Sequence, residues 1–479
     1  MKNSYTNSIC GVGLPNKSSS NRNQVKSIDI TIGVFFDGTG NNKYNIYFNQ
    51  KVKDKYKIDS DSYKGSYTNV ALLWDMYHKS NAYTDKVYIE GPGTAPPKRG
   101  SQFSDEEGLA SSGKKDSTLG KAFGKSYLGA TSWGVNSKLN RAYETIANKV
   151  IYIHKKLKNK KIKSITFDVF GFSRGATGSR MFIKSILEEK DSTLRTSLCK
   201  QIGTATAEGI VFYVRFLGLF DTVSSVGLSQ VVWDREQHSH LFIPNGVQKV
   251  VHLIAANEYR RYFPLTTVTS AHHLGKRCME YVLPGAHSDI GGGYAEIETE
   301  PLYMKGDYPP RKDFEDKNSR NFRGYMSLAG LRNGKWISDI DFQKALKMYG
   351  KGKYKKNESA PYRRVYNEYA RISLQIMYQC AVTNGLALKT TQDANKSLLI
   401  SSCYKNLIDV ATFLKTEFFA QREIYRINMG KEKMGIDFVR DTNVDKSLKS
   451  IRREFLHLSA YNETGFGATS NNRRGIIEG

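Results

Sequence analysis

An α/β fold built on a mostly parallel, doubly wound sheet, with helical and loop insertions, is the class this sequence predicts. Three observations predict it. Apolar, β-branched runs at Ile28–Phe36, Ile165–Val169, Ile210–Phe220, Lys249–Ala255 and Met279–Leu283 read as buried strands. Segments of helical periodicity alternate with them, which favours parallel crossovers. At residues 169–176 the sequence Val-Phe-Gly-Phe-Ser-Arg-Gly-Ala places a GxSxG pentapeptide between one such strand and a helix that runs from Arg174 to about Glu189.

Each element follows from its composition. The Ser/Asn/Lys-rich residues 1–26 read as a polar tail, and residues 27–300 as the catalytic core. Ile28–Phe36 ends in the turn Asp37-Gly38-Thr39-Gly40-Asn41-Asn42. Asn69–Tyr77 reads as a helix and Lys86–Glu90 as a short strand running into Gly91-Pro92-Gly93-Thr94. Residues 95–130, rich in Gly, Ser, Lys and Asp, read as a long loop of the lid or insert type. Lys138–Lys158 carries Leu139, Ala142, Ile146 and Val150 at helical spacing. After residue 300 the pattern changes: 301–360 is a basic, Tyr-rich insertion, and 361–479 a helical region packed on the core, with helices over 362–385 and 407–426. No internal repeat is visible.

Composition narrows the function. A chain of 479 residues with 39% hydrophobic and 12% aromatic residues buries a sizeable core. Its net charge of +26 suits an anionic partner. No nucleic-acid-reading signature accompanies that charge, so nucleic acid is not expected as a partner. Lys155, Lys156, Lys158, Lys160, Lys161 and Lys163 cluster before the GxSxG strand, and Lys351–Lys356 form a second basic stretch. Either is a solvated loop or a patch that draws an anionic membrane to the molecule, at about 1 kcal/mol per cation near the surface. Five cysteines (Cys10, Cys199, Cys278, Cys380, Cys403) without CxxC spacing argue against a disulfide framework and a zinc cluster. Residues 1–26 hold no apolar signal region and no run reaches membrane-spanning length. The chain is expected to be made in a reducing compartment, the cytoplasm; if it acts elsewhere, it travels by a route that needs no cleaved signal.

The GxSxG context points to nucleophilic chemistry. Small residues beside the serine are needed because a side chain at Gly171 or Gly175 would collide with the neighbouring strand or helix. A serine hydroxyl also needs a base to take its proton, and the base needs an orienting carboxylate. In the α/β-hydrolase order of Ser, acid, His, the candidates are Ser173, Asp221 at the end of the Ile210–Phe220 strand, and His287 in a Gly-rich turn after Met279–Leu283. His252, flanked by apolar residues, reads as a core histidine; His457 is the rival to His287. The backbone N–H of Arg174 and those of Gly38 and Thr39 are expected to form the oxyanion hole, with Asp37 and Asp289 in support. The bland reading of the Asp37 turn is an Asx turn that ends a strand. A metal among Asp37, Asp221, Asp289 and His287 finds no ligand spacing in its favour, and neither metal nor cofactor is expected.

The motifs GVFFDGTGNN, TNVALL, YIEGPGT, VFGFSRGA, GLFDTV, HLIAANEYRRYFPL and PGAHSDIGGGY, in this order over roughly residues 28–300, resemble the α/β hydrolases that include type VI secretion phospholipase effectors. The resemblance implies a Ser173–Asp221–His287 triad, phospholipase A activity on glycerophospholipids, and export by a contractile apparatus to act at the target cell's membrane from its periplasmic side. It further implies a phospholipid surface, a spike protein and an immunity protein as partners. Asn257-Glu258-Tyr259-Arg260-Arg261 matches a motif of the same family, expected to brace the site or face phosphate. Two other readings stay open: an esterase on a non-lipid acylated substrate, and a membrane-binding protein on a hydrolase fold without turnover.

Overall fold

The computed structural model describes residues 27–116, 134–158, 160–224, 240–301, 328–349, 362–390, 396–429, 435–440, 442–460 and 473–479. Its centre is a six-stranded sheet built from β1 (Ile28–Phe36), β2 (Thr84–Ile89), β3 (Ile162–Phe172), β4 (Val211–Phe220), β5 (Val250–Ala255) and β6 (Cys278–Leu283). The order is β2-β1-β3-β4-β5-β6, and every neighbouring pair is parallel. The expected strands are therefore all present, in one sheet with no antiparallel member. From β1 the chain steps outward to β2, then returns to place β3 on the other side of β1. This reversal makes the carboxyl ends of β1 and β3 a topological switch point, where open α/β sheets bind ligands.

Alternation along the strands divides the interior into two layers. Phe35, Phe170, Phe172, Phe216 and Phe220 face one side, with Val70, Leu73 and Trp74 of α1 (Asn69–Met76). Ile32, Val34, Phe36, Phe167, Val169, Leu217 and Leu219 face the other, under α2 (Val135–Lys156) and α3 (Arg174–Glu188). Residues far along the chain complete the first layer. Ile372, Ile376 and Met377 of α4 (Ala370–Thr383), Leu414 and Phe418 of Lys405–Phe419, and Leu448, Ile451 and Phe455 of Thr442–Phe455 all join it. Burying both faces of a parallel sheet requires such a second cover.

Several expectations are corrected. Tyr362–Tyr366 is a strand, paired antiparallel with Ile297–Pro301, and helix begins only at Ala370. Its Tyr-Arg-Arg-Val-Tyr alternation hides a buried Arg363, forked on Glu300 at 2.7 and 2.8 Å, so the inward face looks polar in sequence. The helix expected over 407–426 ends at Phe419, and Tyr425–Asn428 pairs with Gly435–Phe438. Within the expected basic insertion, Leu328–Asn333 and Asp339–Tyr349 are helices, and Leu331, Trp336, Ile337 and Phe342 pack into the first layer. A short hairpin, Lys98–Arg99 with Leu109–Ala110, occupies part of the expected loop. The 1–26 tail, residues 117–133 of that loop and Lys351–Lys356 lie outside the described residues.

Because α4 shares its core with the sheet, Ile376→Ala should cost about 2–5 kcal/mol. Urea unfolding followed by circular dichroism should shift as one transition. Separate early melting of the helices beyond residue 362, with the sheet intact, would contradict a shared core.

Candidate active site

The GxSxG turn is held by sterics on both sides. A Cβ on Gly171 would lie 2.4 Å from Ser179 Oγ and 2.6 Å from Ala176 Cα of α3. A Cβ on Gly175 would lie 2.4 Å from the carbonyl oxygen of Phe36 and 2.3 Å from that of Asp37. The strand can therefore turn into the helix only if both positions are glycine. Ser173 between them adopts φ 57°, ψ −127°, the strained backbone of a nucleophile elbow. Its N–H donates to the Phe220 carbonyl at 3.1 Å, and its own carbonyl accepts from Val223 N–H at 3.3 Å. These bonds fasten the elbow to the end of β4, where Asp221 sits at φ 44°.

Asp221 is fully buried and its carboxylate is crowded with donors. His287 Nδ1 lies 2.5 Å from Oδ2, and Ala255 N–H donates to Oδ1 at 3.0 Å. Arg474 adds a bidentate fork, Nη1 to Oδ1 at 2.6 Å and Nη2 to Oδ2 at 2.8 Å. Burial alone would raise this carboxyl, but Arg474 and His287 outweigh it and hold the group well below the usual carboxylate range. The His287 imidazole is lowered from its ordinary value, chiefly by burial and further by the nearby Arg260, against the opposing pull of Asp221 and Glu258. A neutral imidazole with one nitrogen held by a carboxylate leaves the other nitrogen as the proton acceptor.

The imidazole is also fixed in plane. Its centroid lies 4.6 Å from that of Phe172, the residue preceding Ser173, and 5.2 Å from Phe263 in an edge contact. Arg260 stacks over Phe263 at 3.4 Å and is forked on Glu258, whose Oε2 accepts the backbone N–H of His287 at 3.3 Å. Asn257 Oδ1 accepts from Gly285 N–H at 2.8 Å, so the loop after β5 braces the loop after β6. That is a bracing role for the Asn257–Arg261 motif.

The supporting residues divide. Asp37 accepts from Tyr88 Oη at 2.6 Å, Thr68 Oγ1 at 2.7 Å and Gly38 N–H at 2.7 Å. The Gly38 amide is thereby committed to the preceding carboxylate, which corrects its expected place in the oxyanion hole. The amides of Thr39 and Arg174 keep their places as candidates, the latter at the N-terminus of α3. Among the described residues Thr39 Oγ1, beside the same turn, is buried without a hydrogen-bond partner. Asp289 faces away from the His287 imidazole: it accepts Ala286 N–H at 2.8 Å and pairs with His457 Nδ1 at 2.7 Å, under the stacked ring of Tyr294. His457, the rival base, is thus taken by a different carboxylate. His252 is buried between Glu280 and the Thr222 amide, at 3.0 and 3.1 Å. Sequence reasoning missed Arg474, whose only local signal is an arginine directly before Gly475-Ile476-Ile477.

A parallel sheet with a strained serine turn and an Asp–His pair at its carboxyl rim defines a hydrolase-like α/β core. Residues 185–309 match the family model described as the type VI secretion system phospholipase effector Tle1-like catalytic domain. That segment holds Asp221 and His287 and starts after Ser173. Among solved structures, a Tle1 effector bound to the VgrG spike of the type VI secretion system superposes with TM-score 0.55 at 23% identity, over 95% of this chain and 94% of that one. An uncharacterized protein from Pseudomonas aeruginosa matches at TM-score 0.39 and 20% identity, over 83% of this chain and 51% of that one, a likeness too slight to argue from. No curated protein sequence matches. The resemblance drawn from the motifs is borne out: residues 185–309 are similar to the catalytic domain of the type VI secretion phospholipase effectors, and the fold is similar to that of a Tle1 effector.

Two predictions follow from the charges. With His287 as the proposed base, activity requires its neutral form, so kcat/KM should fall as pH drops, with its acidic limb below the ordinary imidazole range near about 6.5; a limb above that value would contradict the assignment. Burial pushes the Asp37 carboxyl up to about 6, against its three donors. The folded chain then holds a proton that the unfolded chain releases, so this group's contribution declines as pH rises from about 4 to about 6. Asp37→Asn should remove that decline, gaining up to about 3 kcal/mol on wild type across the window. A constant difference in urea midpoints would show an ordinary carboxyl.

Proposed function

We propose that the chain is a serine hydrolase that cleaves acyl esters of glycerophospholipids, a phospholipase of the A type, acting as an antibacterial effector. Ser173 attacks the ester carbonyl while His287 takes its proton, and Asp221 holds the imidazole in the productive tautomer. The tetrahedral oxyanion is met by the Arg174 and Thr39 amides, with the Thr39 hydroxyl as a further donor. Water then hydrolyses the acyl-enzyme through the same histidine.

The observation that carries this reading is the Asp221–His287 contact of 2.5 Å, with the imidazole packed on the residue that precedes the strained Ser173. The net charge of +26 supports an anionic lipid surface as the place of action. A spike protein of the secretion apparatus is the carrier we propose, by analogy with the Tle1 effector solved on VgrG, and an immunity protein would guard the producer. Among the described residues no helix is long and apolar enough to cross a membrane, so access to lipid would be from the surface.

The test is product analysis on vesicles of phosphatidylethanolamine and phosphatidylglycerol with position-labelled acyl chains. Wild type should release fatty acid and lysophospholipid. Ser173→Ala should lose at least about 10³-fold in rate with little change in melting temperature. Undiminished release by that variant would refute the nucleophile, and turnover of short-chain soluble esters with none on vesicles would favour a non-lipid substrate.

A further inference from the structure

We propose that Arg474 is a positioning residue of the active site: its guanidinium holds the Asp221 carboxylate in place and keeps it ionised, and so sets the basicity of His287. The inference rests on the triad reading above. Three observations carry it.

The first is geometry. Both Asp221 oxygens receive an Arg474 nitrogen, at 2.6 and 2.8 Å, in the parallel fork that guanidinium and carboxylate form best. Two of the three remaining N–H donors are spent on backbone: Nε on the Phe263 carbonyl at 2.8 Å, and Nη1 also on Ala255 at 3.3 Å. Arg474 is 2% exposed and Asp221 0%, so the pair is shielded from bulk solvent.

The second is anchorage. Ile476–Ile477 pairs in parallel with Leu265–Thr266. Leu265 N–H donates to Gly475 at 2.8 Å, Thr267 N–H to Ile477 at 2.9 Å and Ser270 N–H to Gly479 at 2.9 Å. Thr266 N–H in turn donates to Thr222, the residue after Asp221, at 2.9 Å. A short strap therefore places one side chain on the carboxylate, and the strap itself is registered against the loop that follows that carboxylate.

The third is charge. Among the described residues, the ionisable groups around the imidazole are Asp221, Glu258, Arg260 and Arg474, with Arg174 near Arg260. Arg260 is forked on Glu258, so Arg474 is the cation set against Asp221. With it in place, Asp221 needs no imidazolium to balance its charge, and His287 rests neutral.

Removing the guanidinium leaves a buried carboxylate whose nearest counter-charge is a protonated His287. Whether the extra proton settles on the imidazole or on Asp221, the pair's acidic limb moves to higher pH. For Arg474→Met we expect kcat/KM on a soluble short-chain ester to fall about 10²-fold and the limb to rise by about one pH unit. Arg474→Lys keeps the charge and loses the fork; it should hold the limb near wild type with a smaller loss. An Arg474→Met limb unmoved in a folded variant, or wild-type kinetics, would overturn the proposal. Should Arg474→Met not fold, Arg474→Lys alone decides: a wild-type rate together with an unmoved limb would overturn it. ¹⁵N-histidine NMR titration, with His287 assigned by His287→Gln, reads the same shift without turnover. Wild type inert on every ester would sink the functional reading, while the NMR shift on removing Arg474 would still decide this one.

Discussion

A carboxylate with no exposed surface sits at the end of the fourth strand, and the arrangement of the site follows from how its charge is met. Asp221 is balanced by a guanidinium and oriented toward an imidazole, with a backbone N–H completing its shell. An uncompensated buried charge costs several kcal/mol, so neither partner can be removed without consequence. The three groups come from positions 221, 287 and 474, which means the sheet, the turn after β6 and the strap all have to be in place together. Catalytic geometry and fold integrity are here the same requirement.

Strain enters at two of the three proposed catalytic positions. Ser173 and Asp221 both have positive φ, each at the carboxyl end of a strand. Neighbouring strands over-determine both conformations: Ser173 N–H is tied to Phe220, and Asp221 N–H to Leu253 at 2.7 Å. Each strained residue is thus held by the strand beside it rather than by its own turn. This is how a side chain is lifted clear of a sheet without mobility, and why the two flanking glycines admit no substitute.

The sheet and the position of the site were legible in the sequence because both depend on short-range pattern. Buried parallel strands read as apolar runs, and a serine between two glycines after such a run reports its own turn. Asp221 and His287 stood out as candidates for the same reason, as polar residues at the ends of β4 and β6, and the structure brings the two into contact. The Gly38 amide was misread because a choice between aiming at the elbow and bonding Asp37 is made by geometry, which composition does not carry. Tyr362–Tyr366 was misread because Arg363 occupies an inward position and disguises the period of a strand. Arg474 was invisible for a deeper reason. It lies 253 positions from Asp221, in a basic stretch that carries no motif, and only the pairing of the residues after it with Leu265–Thr266 brings it inside.

The clamp on Asp221 also changes what that residue contributes. A lone buried aspartate beside histidine would draw a proton onto the imidazole at rest, and a protonated imidazole cannot act as base. A cation against the far side of the carboxylate removes that pull while keeping the hydrogen bond that selects the tautomer. The cost is weaker stabilisation of the imidazolium once it forms. Glu258, whose carboxylate accepts the His287 backbone N–H, does not recover that loss, because the Arg260 forked on it opposes the imidazolium at least as strongly. On the proposed triad, the site separates two tasks that a bare Asp–His pair would combine: Arg474 keeps the resting base neutral, and the hydrogen bond from Asp221 orients the imidazole for the charged state that follows.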